Sequence, residues 1–259
     1  MMSNISDKAY VDPKAKIGNN VTIYPFAYIE GDVVIGDNCV IYPYVSIMNG
    51  TRMGKGNKVY QNTVLGAEPQ DFNHKGDNTC LEIGDENIFR ENVVINRATF
   101  ADGKTVIGNR NFFMEGVHVS HDTKVDDYCT FGYGTKVAGD CDIHSGVIFS
   151  SGVIVNANVR IGGACVVTSG VRISKDVPPF IVATANPVRY GGVNDKLLKA
   201  SGADDKVIAH IANAYRLVFH GKTSLFDAVL QIKEQVPDGK EVRSIVKFLE
   251  KADNGIIGQ

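Results

Sequence analysis

Every sixth residue from Val11 is large and apolar: Val11, Ile17, Ile23, Ile29, Ile35, Ile41, Ile47, Met53, Val59 and Leu65. The phase returns at Ile83, Phe89 and Ile95 and runs on from Ile107 to Ile173, with Asp71, Asp77 and Ala101 as the breaks. An amphipathic helix would repeat near 3.6 residues, so this is not a helical pattern. A second row lies two residues before each large position: Ala15, Val21, Ala27, Val33, Cys39 and Val45. Side chains two apart on a strand share a face. Each hexad therefore predicts one short strand with two inward residues, followed by a turn. The turns carry runs such as Gly18-Asn19-Asn20 and Gly36-Asp37-Asn38, residues that tolerate left-handed backbone. Three such strands per coil make a triangular parallel solenoid whose stacked coils satisfy one another's backbone. The phase has 28 positions from 11 to 173. At a rise of about 4.8 Å per coil the prism is roughly 45 Å long.

Residues 66–82 (GAEPQDFNHKGDNTCLE) and 98–105 (ATFADGKT) lack the apolar row and predict two departures from the prism. Loops held on a rigid scaffold are where binding groups tend to sit. The pattern stops at Asp176-Val177-Pro178-Pro179, since proline ends regular pairing. Beyond it the spacing is helical over 207–219, 224–236 and 241–252, with Asp204-Asp205 suited to a helix N-terminus. The expectation is an all-β parallel β-helix of hexapeptide repeats over 1–177 and a small C-terminal α-helical domain over 178–259 that covers the last coil's edge.

Composition narrows the class. A net charge of −2 over 259 residues gives no whole-molecule case for nucleic acid. The opening MMSNISDKAY is polar and carries no secretory h-region, and no apolar run reaches the length of a membrane span. A cytoplasmic protein without an integral membrane segment is expected. The five cysteines form no CxxC pair. Cys39, Cys129, Cys141 and Cys165 fall on the small inward position and read as reduced interior fill, while Cys80 lies off the repeat.

The candidate chemistry is at Val117–Asp122, VHVSHD. The phase puts His118 outward beside the inward Val119 and His121 at a corner. Three readings are open. Both histidines are idle surface groups; or they belong to a zinc site, which needs three or four converging ligands, with His74 or His144 as a third; or His121 is a general base. A base needs a partner that fixes its tautomer, which Asp122 can supply, and a nearby oxyanion donor. One coil is eighteen residues, so Gly139 stacks on His121 and brings a backbone N–H to it.

The hexad prism, MEGVHVSHD (114–122), Gln70-Asp71, DVPPFIVATANP (176–187), GVN (192–194) and NAYRLVF (213–219) together resemble the acyl-carrier-protein-dependent UDP-N-acetylglucosamine O-acyltransferases, which begin lipid A synthesis in Gram-negative bacteria. The resemblance runs over nearly the whole chain. It implies a left-handed coil and a homotrimer with its sites in clefts between prisms. It implies acyl carrier protein as thioester donor, UDP-N-acetylglucosamine as acceptor, and neither cofactor nor metal. By position, His121 matches the general base for the sugar 3-hydroxyl, Gly139 the oxyanion donor and Asp122 the group that orients His121. His118, Asp71 and Asn194 match sugar-nucleotide contacts, with Gln70, Asn96 and Arg97 as further substrate-side positions. Ser169 matches the residue that limits acyl length about three coils past the base, where a small side chain admits a long acyl group.

The chain departs from the family pattern at several places. Asn96 and Asp140 stand where histidines are usual, and Asn156-Ala157 where a His-Gln pair is. Lys196 replaces a glutamate and Ala200-Ser201 a basic pair, leaving Arg189, Lys196 and Lys199 as candidates to meet the acidic carrier protein. Two rivals remain. The related N-acyltransferase of the same pathway carries an additional N-terminal domain for which hexads starting at Val11 leave no room. A trimeric carbonic-anhydrase-like metal protein typically has a His-x4-His spacing, against His-x2-His here.

Overall fold

The computed structural model describes residues 3–258, so Met1 and Met2 of the polar opening and Gln259 lie outside it. Among the described residues, twenty-six short strands from Asn4–Ile5 to Arg172–Ile173 wind as a left-handed parallel β-helix with three flat faces. Successive strands go to the first, second and third sheet in turn, 9, 9 and 8 of them, and two later strands bring the first sheet to 11. The apolar row marks the inward end of each strand: Ile23, Ile29, Ile35, Ile41 and Ile47 are all at most 1% exposed. Asp71, Asp77 and Ala101 belong to loops, and Ile5 adds a strand ahead of Val11, so twenty-six strands replace the twenty-eight positions of the regular count.

Backbone bonds run along the prism axis. Asn4 N–H donates to Val21 O, Tyr10 N–H to Ala27 O and Lys16 N–H to Val33 O, at 2.8–2.9 Å. Like residues therefore stack on like positions. Phe89, Phe113, Phe131 and Phe149 form one interior stack with ring centroids 4.7–5.0 Å apart. The small inward row is not wholly apolar. Asn57, Asn87 and Asn111 are buried in it, and each side-chain oxygen accepts the backbone N–H one coil on: Asn87, Asn111 and Cys129 respectively. A buried N–H needs an acceptor wherever the coil deforms, and these amides supply it.

The same three bonds measure the excursions. They span 30, 24 and 18 residues, so one coil carries twelve extra residues and the next carries six. The excursions are shorter than expected: residues 80–82 lie in the strand Cys80–Ile83, and 104–105 in Lys104–Ile107. Cys80 thus has a place, half-buried on the outer side of a strand.

After Ile173 the chain does not turn helical at once. Ile181–Thr184 extends the first sheet in parallel beside Val166–Val167, and Arg189–Val193 returns antiparallel to it. Four helices follow: α1 (Asp195–Ala200), α2 (Asp205–His220), α3 (Leu225–Gln235) and α4 (Lys240–Leu249). Asp204 and Ser224 cap α2 and α3 through their side chains, as such residues do. Tyr215 of α2 is fully buried and donates to Pro179 O at 2.5 Å. Among the described residues no helix is long and apolar enough to cross a membrane.

Cys39, Cys129, Cys141 and Cys165 are buried, as the repeat requires. Burial pushes the thiols of Cys129 and Cys165 up to about 12 and that of Cys141 up to about 11. The thiolate is the reactive form, so these groups are shielded twice over. A thiol reagent applied to the native protein near neutral pH should label Cys80 alone, with the other four reacting only after denaturation. Rapid labelling of two or more thiols would contradict the inward placement.

Candidate active site

Four successive corners between the second and third sheets carry the candidate residues. The longer excursion joins Val64–Ala67 to Cys80–Ile83, and the shorter joins Val94–Asn96 to Lys104–Ile107. One coil on, His121 and Asp122 form the corner between His118–Val119 and Lys124–Val125; the next corner holds Gly139 and Asp140. The expected base, its partner and the expected donor are thus stacked beside both excursions.

Asp122 is held from three sides. Its φ of 57° is left-handed, which aspartate tolerates better than most residues. Its N–H donates to Thr105 Oγ1 at 2.9 Å, and its carboxylate accepts the Thr99 N–H at 3.1 and 3.3 Å. Its Oδ2 lies 2.9 Å from His121 Nδ1. An ionised carboxylate only accepts, so Nδ1 carries the proton and Nε2 keeps its lone pair. Asp71, on the longer excursion, brings Oδ2 to 3.6 Å from Nε2, too far for a hydrogen bond.

Gly139 explains how the ring fits. A Cβ there would stand 2.4 Å from His121 Cε1, 2.8 Å from Nε2 and 2.9 Å from Nδ1. Only a residue without a side chain lets the imidazole lie against this corner. Asp140 N–H donates to His121 O at 3.1 Å, while the Gly139 N–H meets no acceptor in the backbone network of the described residues. Though Asp140 is exposed, partial desolvation and then the charges of Asp122 and Asp71 push its carboxyl up, with His121 acting in the opposite sense.

The remaining expected residues separate. His118 is on the second sheet's outer face, with Nε2 2.9 Å from Ser120 Oγ. Burial, then Lys136 and His121, lowers its pKa, which keeps the ring neutral near pH 7. A shallow groove of 560 Å³ runs along this face past Lys136, Ile154, Asn156, Ala157 and Arg172. Lys136 and Arg172 were not singled out from the sequence, although they stack with His118 at eighteen-residue steps.

Asn96 and Arg97 do not face the groove. Asn96 is 1% exposed and donates to Glu68 O at 2.6 Å, and Arg97 donates to Gly66 O and Glu68 Oε1. Together they hold the stem of the loop that carries Asp71. Asn194 caps α1, is 5% exposed and donates to Ala164 O at 3.0 Å, so it contacts none of the His121 group. Gln70 is exposed on the loop. Ser169 is exposed at the corner between the first and second sheets, whereas the residue stacked three coils past His121 is Lys175. Ser169 therefore lies across the grooved face from the His121 column. Lys199 pairs with Asp205 at 3.1 Å; Arg189 lines an adjoining cleft with Arg172 and Lys175. His74 Nδ1 is bonded to Thr99 O, and His144 to Asp142. Among the described residues no three His, Cys, Asp or Glu side chains converge as metal ligands.

Known proteins share both the repeat and the arrangement of the whole chain. The family model of the bacterial transferase hexapeptide (six repeats) matches residues 14–49 and 32–67, and that of UDP N-acetylglucosamine O-acyltransferase, domain 2, matches 176–257. The acyl-[acyl-carrier-protein]–UDP-N-acetylglucosamine O-acyltransferase of Stenotrophomonas maltophilia is 37% identical over 255 residues, 98% of this chain and 97% of its own. That of Halorhodospira halophila is also 37% identical, over 99% of this chain and all of its own. A solved UDP-N-acetylglucosamine acyltransferase from Bacteroides fragilis superposes with a TM-score of 0.96 at 43% identity, covering 98% and 99% of the two chains. With its prism, its helical C-terminus and its stacked histidine–glycine corner, this chain belongs to the acyl-[acyl-carrier-protein]–UDP-N-acetylglucosamine O-acyltransferase family.

Proposed function

We propose that the protein moves a 3-hydroxyacyl group from acyl carrier protein to the 3-hydroxyl of UDP-N-acetylglucosamine, the first step of lipid A synthesis. The observation that carries this reading is the His121–Asp122 pair lying against the Gly139 corner. His121 Nε2 takes the hydroxyl proton as the sugar oxygen attacks the thioester carbon. Asp122 keeps Nδ1 protonated and stabilises the imidazolium that forms. The Gly139 N–H supports the oxyanion of the tetrahedral adduct. Collapse breaks the C–S bond, and the imidazolium returns its proton to the leaving thiolate. The products are the sugar ester and the free carrier thiol. The acyl group arrives already activated as a thioester, so the scheme uses no cofactor and no metal.

In this reading Asp71 and His118 hold the sugar nucleotide, one beside the base and one on the adjoining face. The working form is a cytoplasmic homotrimer. The groove beside His118 has a floor and no second wall within one chain, and a neighbouring prism would supply that wall. Arg172, Lys175 and Arg189 line the far end of this face and suit an acidic carrier protein.

His121→Ala should leave folding, assembly and sugar-nucleotide binding intact and lower acyl transfer by at least about a thousandfold; turnover near the parent's level would refute the mechanism. Gly139→Ala places a methyl group where the imidazole lies. Transfer should fall by about a hundredfold or more, with the melting temperature little changed because the ring can swing outward. A variant that keeps full activity would show that the ring does not work from this position. Ser169 is small, which favours a long acyl group. Ser169→Met should shift preference toward shorter donors in competition assays, and an unchanged chain-length profile would remove that assignment.

A further inference from the structure

The two excursions touch each other, and the contact leads to the catalytic pair. Thr99, in the shorter excursion, is bonded on both sides. Its carbonyl lies 2.9 Å from His74 Nδ1 on the longer excursion, and its N–H donates to the Asp122 carboxylate. A carbonyl oxygen only accepts, so His74 Nδ1 is the donor. Asp102 N–H reaches back to Asn78 O at 3.2 Å as a second link between the excursions.

The shorter excursion is otherwise tightly wound. Gly103 N–H donates to Phe100 O at 2.8 Å, and a Cβ at Gly103 would stand 2.7 Å from that oxygen and 3.1 Å from Ala98 Cβ. Thr99 therefore has little freedom once its carbonyl is held. Among the described residues the His74 ring is held through Nδ1, since its Nε2 is buried and meets no hydrogen-bond partner there. The Thr99 hydroxyl is likewise buried and unpartnered, so the backbone of Thr99 makes both connections.

We propose that the shorter excursion is a positioning element for the His121–Asp122 pair, with His74 as the positioning residue that locks it through Thr99. The chain of bonds runs from His74 to the Thr99 carbonyl, then from the Thr99 amide to Asp122, then to His121 Nδ1. Besides His121, the Thr99 N–H is the hydrogen-bond donor that the described residues give the Asp122 carboxylate, so withdrawal of Thr99 removes what fixes the carboxylate's rotation. Its rotation would release Nδ1 and allow the other tautomer, which places the proton on the nitrogen that has to accept one. Asp71 is three residues before His74 and on the same loop, with Asp71 O accepting the His74 N–H at 3.1 Å. Seating of the longer excursion thus sets a substrate-side carboxylate and the tautomer of the base together. The kinetic part of this inference rests on His121 acting as base; the tautomer part does not.

The test combines kinetics with 15N imidazole NMR on the full chain. His74→Ala should lower kcat about tenfold while the KM for the acyl donor changes less than about twofold. His74→Asn places an amide N–H near the Nδ1 position and should recover kcat to within about threefold of the parent. In the parent, His121 should show a protonated Nδ1; in His74→Ala it should show a mixture of tautomers. Melting curves for both variants separate positioning from loss of fold. A His121 tautomer unchanged in His74→Ala, failure of asparagine to restore kcat, or an effect confined to the sugar-nucleotide KM would each overturn the proposal. Turnover retained by His121→Ala alongside a shifted tautomer in His74→Ala would instead refute the base assignment and leave the positioning intact.

Discussion

The hydrogen bond from one coil to the next is the constraint from which the rest of the structure follows. The outward-facing residues of the strands point their N–H groups toward the C-terminal end of the prism, where each finds a carbonyl almost one full coil ahead. That geometry aligns identical positions, which is why asparagines bond to asparagines and phenylalanines stack on phenylalanines along the interior. It also leaves the last coil with donors that need acceptors. The C-terminal segment supplies them: Asp176 Oδ1 accepts from Arg160 N–H, Val177 O from Gly162, Ala183 O from Thr168, and Asn186 Oδ1 from Arg172. The region after the prism therefore completes the hydrogen bonding of the solenoid as well as covering an apolar end.

A solenoid held this way has few places where chain can be added. An insertion within a strand would break bonds to both neighbouring coils. An insertion at a corner leaves the strand bonds intact, provided the chain returns to the next strand. Both excursions use one column of corners, and His121 occupies the next turn of that column. The stacking fixes the relation of His121 to Gly139, and the excursions bring Asp71 and Thr99 to it from the side. A rigid pair and two adaptable loops are thus joined at one edge of the molecule.

The parts of this design that repeat were legible in the sequence. The six-residue phase located nearly every prism strand, the inward cysteines and the outward His118, because burial alternates with the strand period. The eighteen-residue coil was enough to bring Gly139 to His121. Elements outside the repeat were not legible to the same degree. The Ile181–Thr184 and Arg189–Val193 strands lie among prolines, and the six-residue α1 is too short to show a helical period. The loops were visible only as gaps. Where a gap folds back depends on single bonds such as His74 to Thr99, and no periodicity announces them. The loop-holding bonds of Asn96 and Arg97 were hidden for the same reason: their polar groups turn toward a loop whose path the pattern does not contain.

Asn96, Asp140, Asn156 and Ala157 fall on the side of the design that stacking does not restrict. Asn156 and Ala157 line the outer groove, Asp140 is exposed at its corner, and Asn96 answers to the loop it holds. His121 and Gly139 have no such freedom. A side chain at 139 would occupy the space of the imidazole, and an imidazole at 121 needs that space because Asp122 holds its other edge. Either residue can change only if the other gives way. Substitution can therefore alter the groove one position at a time, while the His121 imidazole and the Gly139 corner persist as a single unit.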